Sequence, residues 1–119
     1  MPSMNLVVLC GNLTRDPEVR YGATGVAVCN LGLAVNNRFK RGDEFIDEPV
    51  FINATVFGKS AEACGEYLDK GSPVLVTGRL TLNSWEKDGQ KHSKVEVLAD
   101  RVQFLSGKGG NEHKAGQDD

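Results

Sequence analysis

The sequence lacks the usual equipment for chemistry, metal binding or membrane insertion. Its three cysteines, Cys10, Cys29 and Cys64, are odd in number and form no CxxC. That argues against a disulfide framework and fits a reducing compartment. The two histidines, His92 and His113, stand far from any cysteine pair, whereas structural zinc needs four clustered ligands. No metal or cofactor is expected. Ser, His and Asp occur without any element that marks an activated nucleophile. Gly58-Lys59-Ser60 ends like a phosphate loop, but that motif needs glycine at position 53, where Asn53 stands inside an apolar-alternating run. No apolar stretch approaches the ~20 residues of a membrane span. The opening MPSMNLVVLCGN has no basic region and too short an apolar segment for a secretory signal, so a cytoplasmic protein is expected. Basic charge is not in excess either. The net charge is −2, and up to Gly107 there are 12 Lys and Arg against 13 Asp and Glu. Domains that hold nucleic acid by charge alone are usually basic, so any such binding here needs local patches and stacking.

Aromatics are few, at 7%, but four are placed informatively: Phe39, Phe51, Phe57 and Trp85. Residues 50–57, VFINATVF, alternate as a strand does. Val50, Ile52, Ala54 and Val56 form an apolar face toward a core. Phe51, Asn53, Thr55 and Phe57 form the other, two rings on a polar surface roughly 20 Å apart. Exposed rings stack nucleobases with little sequence preference. Rings packed under a loop or at a subunit contact are the alternative. Arg38, Lys40 and Arg41 flank Phe39, and Lys87, Lys91 and Lys94 follow Trp85. Each lysine alone is as well explained by solvation. Their recurrence beside rings, in two loops and on one strand face, favours a single-strand groove, in which the ring meets the base and the cation the phosphate. Asp43, Glu44, Asp47 and Glu48 read as a solvated loop.

The chain order predicts an all-β fold. Residues 5–13 form a first strand, broken at Arg15-Asp16-Pro17 and resumed over 18–21. Residues 26–35 form a second, with Ala27, Cys29, Leu31, Leu33 and Val35 facing the core. Residues 36–49 are a polar loop or long hairpin tip, and 50–57 the third strand. One helix spans 59–70. Ala61, Cys64, Gly65 and Leu68 make its apolar stripe, Ser60 is its expected N-cap, and Gly71 its stop. Residues 73–82 form the fourth strand, with Val74, Val76, Leu80 and Leu82 on one face. Residues 83–92 hold a hairpin tip at Lys87-Asp88-Gly89, and 93–105 the fifth strand. Three strands, a helix, then two strands is the order of a five-stranded Greek-key OB-fold barrel with the helix between strands 3 and 4. The expected domain covers 1–106. Residues 107–119 are Gly-rich and polar and read as a disordered tail.

Several linked stretches resemble the bacterial homotetrameric single-stranded DNA-binding protein family. They are Asn5 through Leu13 with Asp16-Pro17-Glu18-Val19-Arg20-Tyr21; Val56-Phe57-Gly58-Lys59 with Ala61-Glu62; Glu66 through Ser72; and Val76-Thr77-Gly78-Arg79-Leu80 with Trp85. The resemblance covers about residues 4–105. It implies base stacking on Phe39, Phe51, Phe57 and Trp85, with phenylalanine at two positions that are often tryptophan in the family. Candidate phosphate contacts are Arg15, Arg20, Arg38, Lys40, Lys59, Lys70, Arg79, Lys87, Lys91 and Lys94. The resemblance further implies a homo-oligomer, a tetramer, whose subunits pair near Asn5, Leu6, Val7, Val8, Leu9 and Cys10. It implies single-stranded DNA as partner in replication, recombination and repair, with no enzymatic step. Family tails usually end in an acidic tip closed by Pro and Phe. This sequence ends at Asp118-Asp119 without that tip, as in a truncated form or a tailless paralogue, and the resemblance leaves tail-mediated recruitment of replication and repair partners open. A barrel that uses the same rings to assemble a replication complex is the competing class, separable by co-elution with an oligonucleotide.

Overall fold

The structure, a computed structural model, describes residues 1–105; the expected tail over 107–119 lies outside them. Six strands and one helix follow in chain order: β1 (Val7–Leu13), β2 (Glu18–Tyr21), β3 (Ala27–Arg41), β4 (Glu44–Phe57), α1 (Lys59–Tyr67), β5 (Pro73–Lys87) and β6 (Gln90–Phe104). The strands pair in the order β1-β5-β6-β4-β3-β2, and β1 pairs again with β3 at Asn12↔Ala34 and Leu13↔Leu33. That second pairing closes five strands into a barrel and leaves β2 as a short addition to β3. Only the β4–β6 pairing is parallel. The helix lies between β4 and β5, the third and fourth strands of the barrel, as the OB-fold order requires.

Alternate strand positions fill the barrel. Cys29, Leu31 and Leu33 of β3, Ala54 and Val56 of β4, Val74 and Val76 of β5, and Val97 of β6 are buried together. Ala61 and Cys64 of the helix, and Leu68 just after it, join them. At Gly65 the helix runs so close to β2 that a side chain there would strike Val19. On the other side of that contact, the Tyr21 hydroxyl donates to Glu62 at 3.1 Å, and this bond raises the Tyr21 pKa above its ordinary value.

The helix is shorter than its pattern predicts. Its cap is Gly58, at φ 73°, with no side-chain capping bond, and it ends at Tyr67 because Leu68 is already extended. Gly58 reaches a left-handed conformation at no steric cost, so the chain turns directly from β4 into the helix and Ser60 is not needed as cap. Gly71 serves the following turn, where the Ser72 N–H donates to the Asp69 carbonyl at 3.0 Å.

The two polar stretches take the hairpin alternative. Residues 36–49 and 83–92 are the outer halves of two long hairpins. The β3–β4 ladder runs without interruption from Val28↔Phe57 to Arg41↔Glu44. The β5–β6 ladder reaches Lys87↔Gln90, around Asp88 (φ 53°) and Gly89 (φ 78°). Two successive positive φ values make the tight turn whose twist suits a two-residue hairpin. Each hairpin thus extends past the barrel as an arm. Val50, Leu80 and Leu82 share the alternation of the core residues but stand where the hairpins leave the barrel, and they are exposed. Alternation correctly assigned their side of the sheet; the end of the barrel left that side uncovered.

Candidate nucleic-acid interface

The outer side of the barrel sheet gathers most of the predicted contacts. Every second pair of the β3–β4 ladder faces outward: Val28↔Phe57, Asn30↔Thr55, Gly32↔Asn53, Ala34↔Phe51, then Arg38↔Asp47 and Lys40↔Phe45. Arg20 of β2 stands opposite Val28 and extends that row. Through Thr55↔Leu98 the same face continues onto β6, and through Leu98↔Arg79, Lys94↔Asn83 and His92↔Trp85 onto β5. The Asn53 side-chain amide donates to Glu96 at 3.5 Å, a contact across the β4–β6 seam. The Thr55 hydroxyl donates to Asn30 at 3.0 Å. Phe51 (68% exposed), Phe57 (49%) and Trp85 (44%) therefore stand on one continuous face. Trp85 lies against His92, with centroids 5.6 Å apart and planes 19° from parallel.

Phe39 is not brought to that face. It pairs with Ile46 in a ladder without a bulge, so it points to the opposite side of the β3–β4 arm, beside Arg41, whose guanidinium lies 5.7 Å from its ring. Sequence reasoning missed Phe45. This ring is exposed, belongs to the outer row with Phe51, and carries the Arg38 guanidinium 4.8 Å above it. The signal was its even spacing from Phe51, which counts only once residues 44–57 are read as one strand.

The cations divide in the same way. Arg38, Lys40, Arg79, Lys87 and Lys94 take outward positions, whereas Lys91 pairs with Glu86 on the other side. Lys59 opens α1, and the Lys70 backbone N–H donates to Asp16 at 2.7 Å. Two arginines have carboxylate partners, Arg38 with Asp47 at 3.9 Å and Arg79 with Asp100 at 3.5 Å. Both pairs are exposed, and exposed pairs contribute only ~0–1 kcal/mol, so exchanging a carboxylate for a phosphate costs little.

Strand β1 offers a second surface. From Val7 to Gly11 it pairs only with β5, which leaves its other edge open. Val7 and Leu9 turn toward the core, while Leu6, Val8 and Cys10 point outward and are exposed. Asn5 extends the β5 pairing: its amide donates to the Leu80 carbonyl at 2.9 Å, and the Leu80 N–H donates to its oxygen at 2.8 Å. The other two cysteines are interior. Burial raises the Cys29 thiol pKa, and burial with the neighbouring Cys29 pushes Cys64 up to about 12.

This barrel has known counterparts. The sequence model of the Single-strand binding protein family matches residues 4–105. The single-stranded DNA-binding protein of Wolinella succinogenes is 46% identical over 110 residues, covering 91% of this chain and 68% of that protein. The one from Treponema pallidum is 43% identical over 105 residues, covering 88% and 60%. A crystal structure of a deletion mutant of the single-stranded DNA binding protein from Thermus aquaticus aligns with a TM-score of 0.77 at 36% identity, over 87% of this chain and 51% of that one. The chain thus spans about half to two thirds of these relatives' lengths. A family match running through all six strands and the helix, joined to the shared barrel, establishes that this chain belongs to the single-strand binding protein family.

Proposed function

We propose that the chain binds single-stranded DNA with little sequence preference and covers exposed strands during replication, recombination and repair. The observation that carries this reading is the placing of three exposed rings, Phe51, Phe57 and Trp85, on one continuous sheet face among cations. Bases stack on those rings, and on Phe39 where the strand wraps around the β3–β4 arm. Phosphates meet Arg15, Arg20, Arg38, Lys40, Lys59, Lys70, Arg79, Lys87, Lys91 and Lys94. The activity is binding, without a chemical step. It acts in the cytoplasm, on single strands of the nucleoid. The working assembly is a homotetramer that pairs subunits along the open β1 edge through Asn5, Leu6, Val7, Val8, Leu9 and Cys10. The binding unit is the barrel domain, residues 1–106, and recruitment of partners through residues 107–119 is not part of the proposal.

Trp85 is the only tryptophan, so its fluorescence reports from a single place. Titration with oligo(dT) should quench it strongly, and duplex DNA should not. Equal responses to both, or none, would overturn the reading.

A further inference from the structure

Between Phe51 and Phe57 the outer row contains one position without a side chain. Gly32 faces outward, opposite Asn53, yet it is buried. What covers it is Arg15. A methyl group at residue 32 would occupy the space held by the Arg15 guanidinium and the Thr14 hydroxyl, with the guanidinium carbon only 3.0 Å away. The residues on both sides of Arg15 are tied down, Thr14 through its backbone and Asp16 through its carboxylate. The Thr14 N–H donates to the Gly32 carbonyl at 2.8 Å, and Asp16 accepts the Lys70 N–H at 2.7 Å. Unlike Arg38 and Arg79, Arg15 makes no ion pair or hydrogen bond through its side chain to any described residue. Its donors thus lie against Gly32 with no partner among the described residues. Along β4 this point lies about 7 Å from Phe51 and about 13 Å from Phe57.

We infer that Gly32 is a positioning residue: by having no side chain it seats Arg15 as a fixed cation between the two rings, where Arg15 holds a phosphate of the strand stacked on them. The inference rests on the single-strand binding reading. A planar guanidinium already held in its bound place loses less freedom on meeting a phosphate than one swinging free on a flexible stem. Both groups that a methyl would meet are side-chain tips able to rotate away, so Gly32→Ala should unseat Arg15 and leave the barrel folded.

The test is a cycle of four proteins, the unsubstituted chain, Arg15→Ala, Gly32→Ala and the double variant, each titrated with oligo(dT) at several salt concentrations. Arg15→Ala should weaken binding about tenfold or more and lower the salt slope by ~0.7, the value of one single-strand phosphate contact. Gly32→Ala should reproduce most of that loss, and it should add nothing when Arg15 is already alanine. A Gly32→Ala effect of the same size in both backgrounds would overturn the inference, as would an unchanged salt slope in Arg15→Ala. Should Gly32→Ala fold poorly, Arg15→Lys replaces it: an ammonium keeps the charge but does not fill the seat, so affinity should fall, and equal affinity would overturn the seat. Failure of the unsubstituted chain to bind would overturn both the reading and the inference. Binding with an additive cycle would overturn the inference alone.

Discussion

At the scale of single residues, what a ring contributes depends on which side of the ladder it takes. Phe51 and Phe39 are both exposed phenylalanines on the β3–β4 arm, but they point to opposite sides of it. Phe51→Ala and Trp85→Ala should each cost about 1–3 kcal/mol of single-strand affinity, the usual worth of one stacked base. Phe39→Ala should cost less than Phe51→Ala in the same titration; an equal or larger loss would mean that the strand makes full contact with both sides of the arm. The buried thiols yield a pH prediction. Cys64 is raised from 9.0 to about 12, so the folded state keeps a proton that the unfolded state has released above pH 9. Its contribution is complete below pH 9 and is lost as pH rises through about 12, at up to ~1.4 kcal/mol per pH unit. Denaturant midpoints of the unsubstituted chain should fall more steeply above pH 9 than those of Cys64→Ala, and parallel curves would refute the assignment.

Among the elements, the two arms and the open β1 edge matter most. The arms were hard to read because strands beyond the barrel have no core on either side, so nothing imposes an apolar alternation on residues 36–49. Their turns were more legible, since Asp88-Gly89 is nearly a specification of a two-residue hairpin. The β1 edge is a row of unpaired backbone groups beside exposed Leu6 and Val8, a surface that normally has to be covered or charged to prevent association. Val8→Lys places a charge on that edge without touching the core. Light scattering should show the proposed assembly dissociating while circular dichroism stays that of a folded β protein. An unchanged mass would remove β1 from the subunit contact.

For the molecule as a whole, charge is nearly balanced, so affinity has to come from where charges lie rather than from their sum. On the proposed reading stacking supplies much of the binding, so raising salt should weaken the complex without abolishing it. The log of the affinity should fall by ~0.7 per phosphate contact per log of salt, and fluorescence titrations across ionic strength measure that slope. A slope near zero would mean that the cations on the outer face do not touch phosphate.

Local pattern was enough to determine the barrel. Period-two apolar residues in β3, β4 and β5, one helical stripe between β4 and β5, and glycines at the turns specify which faces pack together, because burial acts on each strand through its own alternation. The same alternation made Phe51 and Phe57 visible as a pair. Tertiary structure decided what alternation cannot express: how far the ladders continue after the core ends, which side of an arm Phe39 and Phe45 take once register is set, and that Arg15 rests on Gly32. Those facts depend on pairing between residues distant in sequence. A side chain's face follows from its own strand, but its neighbours follow only from the register of the strands beside it.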